Sequence, residues 1–362
     1  MLLTMYFDSN RNVMGDLYKN IVNSFSKKEK IIVVVPNAYD ENEFDDSFLL
    51  KLKEDISNIE NKFLRIYKLY EFIKEISTLI KKYNVTKCYF QVDQFIYDYG
   101  VLLANPKLEP TVWIHDVVVH DGEGWMAKIY KLMTKYLLLP RLRHIIVSYN
   151  NAKKELGVKY GADFERITDV IYLPRLAELE FEDIKNTRYD IEYDFIFYGR
   201  IEKYKGLDLL LEAMDNPFMK DVTLLIVGRG REDYNIKQRV DAMQNVKFIN
   251  EYVSNRDLAK YIAKSRCVIL PYRSATGTQT IQLANFYGKF VLATKVGCFT
   301  EYIKEGVNGF YIKNFSKESV IEAMLLMHKN YSESDYKMEI SLKRFALDGI
   351  AEKIQITLSG GN

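Results

Sequence analysis

A chain of 362 residues, 48% hydrophobic and 28% charged, with a net charge of +2, is sized for two globular domains and offers no global electrostatic reason to bind nucleic acid. Cys88, Cys267 and Cys298 lie far apart with no C-x-x-C pair, which excludes a disulfide framework or thiolate metal site and points to buried thiols in a reducing compartment. The opening MLLTMYFDSNRN lacks the basic-then-apolar order of a signal peptide, and no uncharged apolar run approaches the roughly 18 residues of a membrane span, so the expected location is cytoplasmic.

In chain order, LLTMYF, KIIVVVPN, KCYFQVD, TVWIHDVVV, HIIVSYN and DVIYLP read as six strands, with stretches of helical period such as KFLRIYKLYEFIKEISTLIKKY between them. Between Gly124 and Lys154 no acid occurs, and WMAKIYKLMTKYLLLPRLR sets lysines at three- and four-residue steps opposite an apolar face. That segment is read two ways: a helix on an anionic leaflet, or a helix packed on the sheet with a solvated basic face. The acidic stretch Pro174 to Asp190 breaks the rhythm and is taken as the domain connection. The pattern then restarts with YDFIFYG, VTLLIVG, VKFI, CVILPY, KFVLAT and GFYI, a second set of six strands, and Ser334 to Leu358 reads as an amphipathic helix. Strands alternating with helices predict an α/β chain of two doubly wound parallel sheets. The domains are 1–174 and 175–339, with a helix of about 340–362 expected to pack back onto the first.

Four features follow strands in the second half. GRIEKYKG (199–206) puts Arg200 and Lys205 on a turn bounded by Gly199 and Gly206, where two cations suit a diphosphate; the plainer reading is two solvated surface cations. VGRGRED (227–233) ends a strand in G-x-G, so that Gly228 lets a backbone approach, but it lacks the third glycine of a dinucleotide fingerprint. In FINEYVSNRDLAKYI, Asn250 and Tyr252 sit where backbone groups read a base, or where an ordinary loop ends in an N-cap at Ser254. The fourth feature, PYRSATGTQTIQLANF, has no charged side chain from Ser274 to Tyr287, and its Thr276, Gly277, Thr278 and Gln279 lead into a helix whose free N–H groups favour an anion.

The order Gly-Arg-x-x-x-x-Lys-Gly, then S-A-T-G before a helix, then VGCFTEYIKEGVNGFYI, resembles the retaining glycosyltransferases of the GT-B fold, family 4, over most of residues 191–312. WIHDVVVHDGE and HIIVSYNNAKKEL look like the matching parts of that family's N-terminal domain. The resemblance implies two Rossmann-like domains facing across a cleft, with Gly15 in a glycine-containing loop toward the donor. It implies that Arg200 and Lys205 hold the donor diphosphate and that His115 lies near the reacting sugar, with Asp116 and His120 on the acceptor side. The family's glutamate pair, eight residues apart, falls on Ser274 and Gln282; both carboxylates are absent, and the glutamine retains donor and acceptor capacity for ribose.

The implied activity is a metal-independent hexosyl transfer from a nucleoside-diphosphate sugar, used as co-substrate with no other cofactor, to a saccharide or lipid-linked saccharide in bacterial surface polysaccharide assembly. The expected setting is cytoplasmic, peripheral on the inner face of the membrane, with no nucleic acid partner. Two alternatives stand beside it: a non-catalytic nucleotide-sugar-binding subunit of a transferase, favoured by the missing glutamates, and a GT-B sugar-nucleotide epimerase.

Overall fold

The computed structural model describes residues 1–6, 13–26, 30–44, 48–52, 56, 59–91, 95–115, 117, 132, 136, 139–175, 177–230, 236–330 and 345–359. The chain forms two compact units. The first comprises 1–119, 123–172 and 347–362, and the second 120–122 and 173–346.

The first unit is built on seven parallel strands: β1 (Leu2–Met5), β2 (Ile31–Pro36), β3 (Phe48–Leu52), β4 (Lys87–Gln91), β5 (Glu109–Ile114), β6 (His144–Val147) and β7 (Thr168–Val170). Their order is β3-β2-β1-β4-β5-β6-β7. Residues 31–35 and 145–147 are almost completely buried, the mark of parallel strands covered on both faces. Six strands were expected here, and β3 is the seventh. It pairs with β2 from Ile32↔Phe48 to Pro36↔Leu52 at the sheet edge. Its run, FLLKL, is short and flanked by acids and lysines, so it carries little periodic signal. The helix Leu347–Ser359 belongs to this unit and packs on the helix Val13–Ser26; the Thr357 hydroxyl donates to Asp169 at 2.9 Å.

The second unit carries β8 (Tyr193–Tyr198), β9 (Leu224–Val227), β10 (Val246–Ile249), β11 (Ser265–Leu270), β12 (Phe290–Thr294) and β13 (Gly309–Ile312). They are parallel, in the order β10-β9-β8-β11-β12-β13. Both sheets therefore start centrally, run to one edge, return to the middle and run to the other. All three cysteines are buried, and burial raises each thiol's pKa.

The stretch expected to be a connection is instead folded onto the second unit. Tyr287 receives the Phe181 amide at 3.1 Å and donates its hydroxyl to the Leu179 carbonyl at 2.6 Å. Asn255 donates to the Glu178 carbonyl, and Arg256 pairs with Asp183. Two more of its acids pair within the stretch, Glu180 with Arg175 at 3.2 Å and Glu182 with Lys185 at 3.5 Å. Asp116, His120, the basic segment around Trp125 to Leu138 apart from Leu132 and Tyr136, Arg231 to Asp233, and 334–344 of the predicted tail helix lie outside the described residues.

Candidate functional site

In a doubly wound sheet the ligand crevice lies beyond the carboxyl ends of the strands where the order reverses. In the second unit that point is between β8 and β11. The loops that leave these two strands are 199–206 and 271–279, the first and fourth of the segments singled out from sequence.

Backbone geometry explains the glycines of the first loop. Gly199 has φ +113° and Gly206 φ +68°, conformations that side chains rarely adopt. A Cβ on Gly206 would meet the Pro271 carbonyl oxygen at 1.9 Å, so that glycine lets the two loops touch. Gly228 has a structural reason of its own: a Cβ there would lie 1.9 Å from the Gly199 carbonyl oxygen, and its amide donates to Ile249 at 3.0 Å.

A single 3-10 turn, Lys203–Lys205, brings the Lys205 side chain back over the end of β8. The residue is only 9% exposed. Its ammonium lies beside Gly199, 5.5 Å from the Tyr272 ring centroid and 6.0 Å from that of Tyr204. No acceptor among the described residues hydrogen-bonds it. Burial lowers its pKa to about 8; the Glu202 charge opposes that shift and Arg200 adds to it. A buried cation without a bonded counter-charge is costly, and an arriving anion relieves that cost. Arg200 is different: its side chain is 81% exposed and pairs with Glu202 at 3.3 Å.

The second loop is tied to the first by a residue the sequence reading passed over. Arg273 donates through its amide to the Tyr204 carbonyl at 2.6 Å and through its guanidinium to the Lys203 carbonyl at 2.7 Å. The same guanidinium grips Asp208 with two bonds, 2.9 and 2.6 Å. Burial opposes ionisation of Asp208, but Arg273 overcomes it and the pKa falls below the usual carboxylate range. On its other side the loop is held by the Cys298 amide on the Ala275 carbonyl at 3.0 Å, beside Gly297, where a Cβ would clash with the same carbonyl. A lone arginine after a strand gives no sequence signal that it clamps a neighbouring loop.

Ser274, Thr276 and Thr278 are half-buried in this loop and Gly277 is exposed. The helix Thr280–Phe286 follows, with the Thr278 hydroxyl accepting from the Thr280 amide at 3.1 Å. Gln282 departs from expectation. It is fully buried, and its amide donates to the Leu173 carbonyl at 3.1 Å, while its Oε1 has no partner among the described residues. Gln279 donates likewise to Pro174 at 3.0 Å. These two amides fasten the segment that enters the unit, so the Gln282 side chain offers no surface to ribose in this conformation. Asn250 and Tyr252 are exposed, the tyrosine to 80%, in a loop that ends as a regular N-cap, with the Ser254 hydroxyl accepting from the Asp257 amide.

In the first unit, His115 directly follows β5, half-buried and stacked on Trp113 at 5.4 Å between ring centroids. Trp113 is fixed in turn by its indole N–H on the Ser148 hydroxyl at 3.1 Å. Gly15 lies near the start of the first helix, against Tyr39 and Tyr6. Among the described residues no group of three or more His, Cys, Asp or Glu is placed to hold a metal.

Comparison with known proteins adds three relationships. A Haemophilus influenzae protein described as an uncharacterized glycosyltransferase is 22% identical over 355 residues, covering 92% of this chain and 96% of its own. A Klebsiella pneumoniae protein, an uncharacterized 41.2 kDa protein in the cps region, is 22% identical over 216 residues; the match spans 57% of each chain. The crystal structure of Anabaena HepE in complex with UDP and glucose superposes with a TM-score of 0.75, covering 99% of both chains at 15% identity. At that identity the likeness is one of fold, the GT-B fold. The family model of glycosyl transferases group 1 matches residues 180–342, the segment that holds Lys205, Arg273 and both tied loops.

Proposed function

We propose that this chain is a retaining glycosyltransferase that moves a hexose from a nucleoside-diphosphate sugar to a saccharide or lipid-linked saccharide acceptor in surface polysaccharide assembly. The observation that carries the reading is the Lys205 ammonium: buried, without a hydrogen-bonded acceptor among the described residues, at the carboxyl end of the central strand β8. A diphosphate supplies the missing charge. Arg200, exposed and free to swing from Glu202, adds a second cation from the mouth of the site. The HepE complex with UDP and glucose and the place of the Klebsiella relative in the cps region support the donor class and the pathway.

In the reaction, the bond between the sugar C1 and the diphosphate oxygen breaks, and a bond from C1 to the acceptor hydroxyl oxygen forms on the same face. The hydroxyl proton passes to a leaving phosphate oxygen, so no protein base is required. Lys205 and Arg200 stabilise the charge that grows on the leaving diphosphate, the kind of preorganised electrostatic contribution worth about 2.7–4 kcal/mol for one donor. Ser274, Thr276 and Gly277 face the donor from the second loop. His115 serves the sugar, with Asp116 and His120 on the acceptor. The chemistry needs no metal, because the two cations take that place.

A thermal-shift screen of UDP-, GDP- and dTDP-sugars tests the reading, since a ligand at 100 times its Kd stabilises by about 2.7 kcal/mol. One sugar nucleotide should raise the Tm and slowly release free sugar. Binding without release would assign the chain as a non-catalytic subunit; no binding to any would remove the proposal.

A further inference from the structure

His115 is a half-buried ring just past the end of β5. Rotation of an imidazole about its second side-chain torsion is broad, so such a ring keeps one plane only where a neighbour imposes it. Trp113 is that neighbour. The two residues are two positions apart, the spacing that puts side chains on one face of a strand. Their rings lie 25° from parallel with centroids 5.4 Å apart, an offset stack.

The indole is itself anchored. Trp113 has no exposed surface, and a buried indole N–H needs an acceptor; it donates to the Ser148 hydroxyl at 3.1 Å. Ser148 directly follows β6, two residues beyond Ile146, which is the register partner of Trp113. The hydroxyl therefore comes from the adjacent strand end and holds the edge of the indole whose face carries the imidazole. Three side chains at the carboxyl ends of β5 and β6 form one chain: hydroxyl, indole, imidazole. We infer that Ser148 and Trp113 are positioning residues for the transfer: the hydroxyl sets the plane of the indole, and the indole sets the plane of His115. Both are buried, Ser148 to 1% exposure, so they act through the histidine and not on substrate. The inference rests on the reading of His115 as the group that serves the sugar, and deepens it by naming what aims that group.

A double-mutant cycle tests it, read as release of free sugar from the sugar nucleotide that the thermal-shift screen selects. Ser148→Ala should lower kcat about tenfold and leave KM for the sugar nucleotide within about twofold, because a misplaced reacting group costs rate and not donor binding. Ser148→Thr keeps the hydroxyl and should recover most of that loss. His115→Ala should lower kcat further, and adding Ser148→Ala to it should cost nothing more, since the serine acts only through the histidine. A second measurement needs no ligand. The chain has four histidines, so the His115 ring protons can be followed by NMR. The indole face displaces them upfield, and Ser148→Ala should change that displacement. Trp113→Phe, which keeps a ring but loses the N–H, should behave as Ser148→Ala does and replaces it if that variant fails to fold. Three results would each overturn the inference alone: wild-type kcat in Ser148→Ala, a Ser148→Ala loss that persists in full in the His115→Ala background, or His115 ring protons that Ser148→Ala leaves unmoved. If no sugar nucleotide binds the wild type, the transferase reading falls and this inference with it.

Discussion

The Lys205 ammonium rests directly against the α-carbon of Gly199: a Cβ built on that glycine would lie 2.9 Å from Nζ. The glycine is thus part of the cation's seat as well as a residue with φ +113°. Gly199→Ala should strain the backbone by about 1–3 kcal/mol and push the ammonium off the strand end. The expected result is a modest fall in Tm and a larger loss of the donor-induced thermal shift; a shift as large as wild type would separate the glycine from the site.

Lys205 should oppose stability while serving binding. In the unfolded chain a lysine stays protonated to roughly pH 10.4; in the fold its pKa is lowered to about 8 by burial. Between these values the unfolded state binds more protons, so stability rises with pH across the window, and the penalty is fully present below about pH 8. Lys205→Met should therefore be more stable than wild type at pH 7, by roughly 3 kcal/mol, with the gap closing towards pH 10.5. Turnover should fall about 100-fold or more. Urea unfolding at the two pH values checks the first part.

Donor affinity should carry the same titration. A diphosphate selects the protonated amine, so its Kd should be level below about pH 8 and weaken above it. Lys205→Arg keeps its charge throughout and should bind without that alkaline decline. Isothermal titration across the range reads both.

Gln282→Glu restores the residue type of the resembled family, yet it should not raise activity. It places a carboxylate against the Leu173 carbonyl, in a site with no exposure. A cost of about 1–3 kcal/mol in urea unfolding is expected, with no gain in turnover. An unchanged stability would show that the side chain leaves this pocket.

Gly15 sets the fit of the first helix. A Cβ there would lie 2.1 Å from the Tyr39 hydroxyl oxygen, and Tyr39 is 1% exposed. Gly15→Ala should cost about 1–3 kcal/mol. Tyr39→Phe removes the clashing oxygen, so the double variant should recover part of that loss, a coupling near 1 kcal/mol in a double-mutant cycle.

Much of the fold was legible because parallel strands buried on both faces are written as continuous apolar runs. IIVVV, LLIV and CVIL need no neighbour to be recognised. The FLLKL edge strand was not legible, since half its surroundings are charged and only its pairing with β2 defines it. In the site, the glycine-bounded turn with Lys205 could be read from composition and spacing, because turns and phosphate contacts are local requirements. That Phe63, Ile66 and Tyr70 of the helix Lys62–Lys82 stand exposed was hidden for the opposite reason: its period looked like an ordinary core helix, and only burial distinguishes the face that packs from the one that does not.

The sequence by itself determined the two α/β halves and the position of the cation-bearing turn. Only the tertiary structure decided that Arg273 ties that turn to the Ser-Thr loop, that Gln282 looks inward to Leu173, and that Lys205 is desolvated while Arg200 is not. The reason is physical. Strand and turn preferences act between near neighbours, whereas burial and long-range hydrogen bonds join residues some 70 to 109 positions apart, such as Arg273 with Lys203 and Gln282 with Leu173, and exist only once the chain has packed.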